Sequence, residues 1–250
     1  LKYLIEKGSI NFFQAKNEIL KFVNDIDEGS LRHTFLYLSG QILGPNESNS
    51  YPFIEGNGDD YLRLVDEEMM NCSIVAESLT YGILRYQEEF GKELLNYPYL
   101  KKYTYYKMKD MGFLTNYDKS FASIRGSGVW KYRNHYYLFV DLHKGEDIHE
   151  SINYKDKLIT NKTMQWETQN KTTQNSETGK DLIFNQSRGI HLHMFLRKAK
   201  QIANQKLDYI YIGEVNSISY EGERPITIQM EIVDAIPNHI YDDLTFIKNI

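Results

Sequence analysis

Apolar positions along the first ninety-five residues recur at helical spacing, and along the remainder they alternate. "NFFQAKNEILKFVNDI" sets Phe12, Phe13, Ala15, Ile19, Leu20, Phe22 and Val23 on one side of a helix. "SLRHTFLYLSGQIL" reads as a second helix, with Ser30 as its N-cap and Gly44-Pro45 as its stop. "NESNSYPFIEGNGDD" is a loop by its Asn, Ser, Gly and Pro content. From Asp59 to Leu95 apolar residues again fall at i, i+3 and i+4, which predicts one long helix or two shorter ones, broken at Pro98. Beyond it the period changes. "YYLFVDLH" (136–143), "IHLHMFLRK" (190–198), "LDYIYIGEV" (207–215) and "PITIQMEIV" (225–233) are short, β-branched, aromatic and alternating, so they predict strands. The fold class is α+β: a helical domain over 1–95, then a β-rich barrel or sandwich over 96–250, with the division at about residue 96–101.

The stretch from Met164 to Gly189, "MQWETQNKTTQNSETGKDLIFNQSRG", is polar and amide-rich around one indole. It reads either as a plain surface loop or as a recognition loop. An extruded base needs an aromatic plate with amides and hydroxyls aimed at its edge. Trp166, Gln169, Asn170, Thr172 and Thr173 supply that set within eight residues.

Charge sharpens the division. The whole chain carries −5, which argues against a general nucleic-acid binder. Residues 1–95, however, hold 8 Lys and Arg against 16 Asp and Glu, and residues 96–135 hold 8 against 2. That basic segment interleaves cations with rings: Lys101, Lys102, Lys107, Lys109, Arg125, Trp130, Lys131 and Arg133 among Tyr99, Tyr103, Tyr105, Tyr106, Phe113, Tyr117 and Tyr132. Cations neutralise phosphates and rings stack on bases, so a DNA-backbone groove is one reading; core packing of the rings beneath ordinary surface lysines is the other.

Other chemistry is thinner. The single Cys72 excludes an internal disulfide and a thiolate zinc site, and its helical context predicts a buried small hydrophobe. No Walker-type loop, G-x-S-x-G or H-E-x-x-H motif occurs, so neither catalytic nor metal residues are assigned. "VDEEM" (65–69) is a solvated helix face. His191 and His193 share a strand face without an evident third ligand. "DLHKGEDIHE" (Asp141–Glu150) is the best candidate for a metal-dependent nuclease site, at a strand end and charged turn. No apolar run is long enough for a membrane span and no signal peptide is visible, which leads to the expectation of a cytoplasmic protein without a membrane partner. A start at Leu1 instead of Met suggests a piece of something longer.

The pattern made by His143-Lys144, Glu150-Ser151, Tyr154, Trp166, Gln169-Asn170, Thr172-Thr173, Ser176, Gly179, Gly189, Phe195, Arg197 and Gly213-Glu214 resembles a known family. It is the uncharacterised C-terminal domain appended to bacterial superfamily II helicases. The resemblance covers about residues 100–235, and its W-x-x-Q-N-x-T-T part is the specific element. Tyr106 stands where the family usually has Arg, and Glu167-Thr168 where a Ser is usual. In one branch this domain closes a type IV, modification-dependent restriction enzyme. The resemblance implies a fold like the SET-and-RING-associated and PUA-like base-flipping domains, and recognition of 5-methylcytosine or a related modified cytosine in methylated DNA. It adds Tyr154 to Trp166, Gln169, Asn170 and Thr173 as modified-base residues. It implies ATPase/helicase and nuclease domains in the same longer chain, with ATP and magnesium needed there and no cofactor here. No H-x-K-x-x-x-x-D occurs, so these residues are expected to bind without cutting; a nuclease at Asp141–Glu150 and a helicase-docking module are the alternatives.

Overall fold

The computed structural model describes residues 2–39, 54–56, 62–64, 72–91, 98–117, 119, 121–124, 128–143, 156–202 and 205–246. Two compact units form: Leu1–Tyr99 with Met111–Ile124, and Leu100–Asp110 with Arg125–Ile250.

The first unit contains helices α1 (Lys2–Lys7), α2 (Phe12–Ile19), α3 (Glu28–Leu38) and α4 (Ser73–Phe90). It is not helical throughout. Strands β1 (Ser9–Ile10), β2 (Ile54–Gly56) and β3 (Leu62–Leu64) form an antiparallel sheet in the order β1-β3-β2. The helical periodicity expected from Asp59 onward therefore gives way at Leu62–Leu64 to strand pairing, with α4 starting only at Ser73. Asn11 caps α2, accepting from the Gln14 N–H at 2.7 Å while Gln14 returns a bond to the Asn11 N–H. The helix expected to run to Ile26 stops at Ile19. Asp27, not Ser30, caps α3: its carboxylate accepts from the N–H groups of Gly29 and Ser30, both at 3.1 Å, and a negative charge suits that helix end. Cys72 occupies the N-cap position of α4 and is only partly buried. Leu4, Ile10, Ala15, Leu31, Phe35 and Ile54 make the core.

Helix α5 (Asp110–Leu114) and a 3₁₀ turn (Phe121–Ser123) fall where the chain returns to this unit. Asn116 donates to Ser30 Oγ at 2.6 Å, and the His33 ring meets the Tyr117 carbonyl at 2.7 Å. Residues 111–124 thus pack with the helices, inside the span that the change of period assigned to the β-rich part.

The second unit is built on one eight-stranded sheet. Its strands are β4 (Tyr105–Tyr106), β5 (Val129–Tyr132), β6 (His135–His143), β7 (Lys157–Thr160), β8 (Thr163–Glu167), β9 (His191–Ala199), β12 (Tyr209–Glu221) and β13 (Thr227–Ile232). Between β9 and β12, β10 (Gln201–Ile202) and β11 (Gln205–Lys206) form a separate pair. The main order is β5-β6-β9-β12-β13-β8-β7, with β4 on the early part of β12. Every pairing is antiparallel except β6 with β9. That parallel pair follows from the long crossover carrying β7, β8 and helix α6 (Glu177–Ile183). The four strands expected from alternation are β6, β9, β12 and β13. Most of strand β8 and helix α6 lie where only a loop was expected, and β7 lies in a stretch for which no element was expected. The sheet is mixed and, among the described residues, open, with β5 and β7 at its ends, so the barrel expectation becomes a curled sheet.

One face carries the main core: Tyr136, Leu138 and Val140 of β6, Leu192, Met194 and Leu196 of β9, Ile210, Ile212 and Val215 of β12, Ile228, Met230 and Ile232 of β13, and Met164 and Trp166 of β8. Leu182 and Ile183 of α6 and Leu244 of α7 (Asn238–Thr245) close it. Ser176 caps α6 by accepting from the Gly179 N–H at 3.0 Å. Gly179 admits the preceding loop so closely that a Cβ would sit 1.9 Å from the Thr173 carbonyl oxygen.

The other face is aromatic. Tyr137 stacks on His193 with ring centres 5.1 Å apart, and Phe139 on Phe195 at 4.6 Å. His193 Nε2 meets His135 Nδ1 at 2.9 Å, and His193 Nδ1 meets the Tyr211 hydroxyl at 2.9 Å. Burial first, and neighbouring imidazoles second, push His135 down to about 4 and His193 down to about 3.

Two predictions follow from this packing. Gly179→Ala should cost about 1–3 kcal/mol, the range for an overpacked site, read as a lower midpoint in urea; a midpoint equal to the parent's would contradict the close approach. For the histidines, the unfolded chain gains protons below about pH 6.5 that the folded chain refuses, so stability present above that value is lost as pH falls toward 4. The melting temperature should drop steadily from pH 6.5 to 4.5, and the His135→Gln/His193→Gln variant should have a flatter profile. Equal slopes for parent and variant would show that these rings do not drive the loss.

Candidate ligand cavity

Strand β8 ends at Glu167, and Thr168 anchors its exit. The Thr168 N–H donates to the Ile226 carbonyl at 2.9 Å, and its hydroxyl accepts from the Ile226 N–H at 3.0 Å. The chain then turns through residues 169–176 into α6. This loop, α6 and the β5–β6 hairpin enclose a cavity of about 320 Å³. Its apolar walls are Val129, Trp166 and Leu182, and its polar ones include Lys131, Tyr136, Gln169, Lys171, Thr172 and Thr178. Strands β5 and β8 are far apart in the sheet order, so a shared cavity means that the sheet curls over its core face.

Trp166 is 4% exposed and belongs to the core as well as to the cavity wall. Gln169 is half-buried and lines the space. Asn170 is exposed and is not among the lining residues. Thr173 is not among them either: its hydroxyl accepts from the Ser176 N–H at 3.2 Å in the turn before α6. Thr172 and Thr178 line the cavity instead. Tyr154 lies outside the described residues.

The basic segment separates into parts. Lys101, Lys102, Lys107 and Lys109 are exposed, with the ring of Tyr105 exposed beside them. Lys102 forms an ion pair with Asp234. Arg133 sits in the β5–β6 turn with its guanidinium 5.2 Å from the centre of the Tyr132 ring. Trp130 is buried on the aromatic face, stacked on Tyr132 at 5.8 Å and against Tyr137 at 5.2 Å. Lys131 points the other way, into the cavity. Arg125 lies outside the described residues.

Asp181, on α6, is the residue that sequence reasoning missed. Its carboxylate is 2% exposed and accepts from Lys131 Nζ at 2.7 Å, the Tyr136 hydroxyl at 2.9 Å and Arg188 Nε at 2.8 Å. Arg188 also pairs with Glu177. Burial pushes the Asp181 carboxyl up, but its three donors outweigh that and hold it below its ordinary value. The hydrogen bond to Asp181 holds Lys131 above its own, and burial, then that carboxylate, raise Tyr136. At neutral pH the wall therefore carries an ionised pair. A signal existed in the sequence: Ser176 three residues before Gly179, then Leu182-Ile183, is a capped helix start with an apolar face that must bury Asp181 beside it.

The remaining candidates are structural where they are described. Asp141 takes both Arg197 Nε at 2.5 Å and Nη2 at 3.0 Å, while the same guanidinium lies 4.1 Å from the centre of the Tyr209 ring. His143, at the end of β6, is partly buried, and its Nε2 has no hydrogen-bond partner among the described residues. Residues 144–150 of that cluster, and the acidic run at 65–69, lie outside the described residues. His193 spends its ring nitrogens on His135 and Tyr211, and His191 faces Glu214 at 3.2 Å. Among the described residues no group of three or more His, Cys, Asp or Glu could hold a metal ion, and no helix is long and apolar enough to cross a membrane.

No curated protein matches the chain. The solved structure of Arabidopsis thaliana SUVH6 in complex with SAM is similar at 11% identity, over 89% of this chain and 40% of that one, with a TM-score of 0.34. This chain thus spans about 40% of the length of that protein. Residues 100–244, more than half of the chain, match the domain of unknown function DUF3427, and the protein belongs to that family.

Proposed function

We propose that the second unit is a DNA-recognition module that receives a modified cytosine, 5-methylcytosine or a related base, flipped out of methylated DNA into the cavity at Trp166. The observation that carries this reading is the convergence of Trp166 and Gln169 on one concave space with the ammonium of Lys131. The indole walls a planar ligand, the amide of Gln169 offers a donor and an acceptor at fixed spacing, and the volume lies at the small end of ligand sites. The exposed Lys101, Lys107, Lys109 and Arg133 supply phosphate contacts, which position the duplex without reading it. In this reading the chain is the target-recognition portion of a type IV restriction enzyme. Its ATPase and nuclease belong to the rest of a longer chain, where ATP and magnesium act. The first unit would dock the motor: Phe13, Ile74 and Tyr81 are exposed on α2 and α4, and an apolar cavity of about 700 Å³ opens among α1 to α4.

The test is fluorescence anisotropy with duplexes that differ only in one 5-methyl group. The parent should prefer the methylated duplex. Gln169→Ala should cut the methylated-to-unmodified ratio about five- to tenfold, because a base edge then loses its partner in a buried site. Trp166→Ala would also remove a core side chain, costing about 3–5 kcal/mol of stability, so Trp166→Phe is the informative change. It should weaken methylated binding alone. A parent without preference would refute the reading. Separately, Lys101→Ala/Lys107→Ala/Lys109→Ala should weaken both duplexes alike and reduce the salt slope by about 2–3, from roughly 0.9 per phosphate contact; an unchanged slope would remove these residues from the interface.

A further inference from the structure

Asp181 touches the cavity only through other side chains. Lys131 and Tyr136 are cross-strand partners on β5 and β6, both line the cavity, and both give a proton to the same carboxylate oxygen, Oδ2. The second oxygen, Oδ1, takes Arg188. Lys131 Nζ lies 5.0 Å from the centre of the Tyr136 ring. A lysine side chain has four rotatable bonds, and untethered at a half-open site it spreads its ammonium through solvent. Here the tether is an ionised, buried carboxylate on a helix that is itself capped by Ser176 and packed tightly at Gly179.

The pairing changes what Lys131 can offer. Its charge is offset by Asp181, and that of Arg188 by Asp181 and Glu177, so these four side chains together have little net pull on a distant phosphate. What survives is direction. Of the three ammonium protons one goes to Asp181, and the side chain, 42% exposed, lines a space that Val129, Trp166 and Leu182 also wall. A hydrogen bond made against apolar walls is stronger than one in water.

We propose that Asp181 is a positioning residue that fixes Lys131 as a hydrogen-bond donor to an acceptor, a carbonyl oxygen or ring nitrogen, on the edge of the inserted base, and not to a backbone phosphate. The proposal rests on the reading of the cavity as a base pocket. It places Lys131, itself partly open to solvent, among the groups that recognise the base and separates it by its Asp181 tether from Lys101, Lys107 and Lys109, which hold the duplex.

The test uses the full chain and three duplexes, carrying 5-methylcytosine, unmodified cytosine or an abasic site at the same position. Lys131→Met should weaken binding of the methylated duplex about tenfold and leave both the abasic affinity and the salt slope unchanged. Asp181→Asn should also lower the methylated-to-abasic ratio, by about three- to tenfold. By exposing an uncompensated ammonium it should at the same time raise abasic affinity and steepen the salt slope by about one ion. A merely structural role for Asp181 would not produce that opposite movement. The double variant should lose no more of the ratio than Lys131→Met alone, because the two residues act as one unit. If Asp181→Asn fails to fold, Lys131→Met still decides the ligand. Equal losses on methylated and abasic DNA, with a shallower slope, would make Lys131 a phosphate contact and overturn the proposal. A parent that prefers 5-methylcytosine but is indifferent to Lys131→Met would overturn this inference alone; a parent with no preference would overturn the base pocket itself.

Discussion

The pinning of α6 against the curled sheet is the constraint on which the rest of the second unit depends. Three contacts hold it. Ser176 satisfies the first turn, Gly179 lets the Thr173 carbonyl come closer than any side chain would permit, and Asp181 reaches across to β5 and β6. Leu182 and Ile183 then enter the same core as Met164 and Trp166. Without the helix in this place, Trp166 would face open space and the hairpin bearing Lys131 would have nothing to fold toward. The cavity is therefore a consequence of how the sheet closes.

The two faces of the sheet divide the work. The core face is aliphatic near β9 and β12 and becomes polar only where α6 meets β5, β6 and β8. The opposite face is a row of rings, with His135, His193 and Tyr211 joined by hydrogen bonds in a setting that keeps the imidazoles neutral. Such a row is rigid, because stacked rings and a directional hydrogen-bond chain resist sliding. It backs the strands that carry Lys131 and Tyr136. Rigidity there suits a site that must hold donors and acceptors at fixed spacing.

The strands with clear alternation were legible in the sequence, since β6, β9, β12 and β13 are long and carry β-branched or aromatic residues on at least one face. Trp166 and Gln169 stood out too, because an indole beside amides is an unusual pairing in a polar stretch, and the structure sets both on one cavity. The element that holds them was not. Met164 and Trp166 alternate with Gln165 and Glu167 over five residues only, too few to stand out among amides. Helix α6 is seven residues long, with Gly179 inside it, and its stability comes from burial and capping, not propensity. Lys131 read as one cation in a basic run because the carboxylate that claims it lies fifty positions away. The first unit misled for a related reason. Three two- or three-residue strands gain their stability from pairing with one another, which helical spacing in one segment does not reveal. The return of residues 111–124 to that unit rests on Asn116, Ser30 and Asp27, polar residues whose spacing carries no periodic signal.

The proposed base pocket is tested most directly by where a modified base goes. A duplex carrying 5-iodocytosine, whose iodine is close to a methyl group in size, forms covalent bonds to nearby side chains under near-ultraviolet light. Mass spectrometry of the digested adduct then names the residue. The account predicts attachment within the cavity, at Trp166 or Tyr136, and loss of that adduct when unlabelled methylated duplex competes. Attachment confined to the exposed segment from Lys101 to Lys109, with none at the cavity, would show that the base stays in the helix and that the cavity serves another purpose.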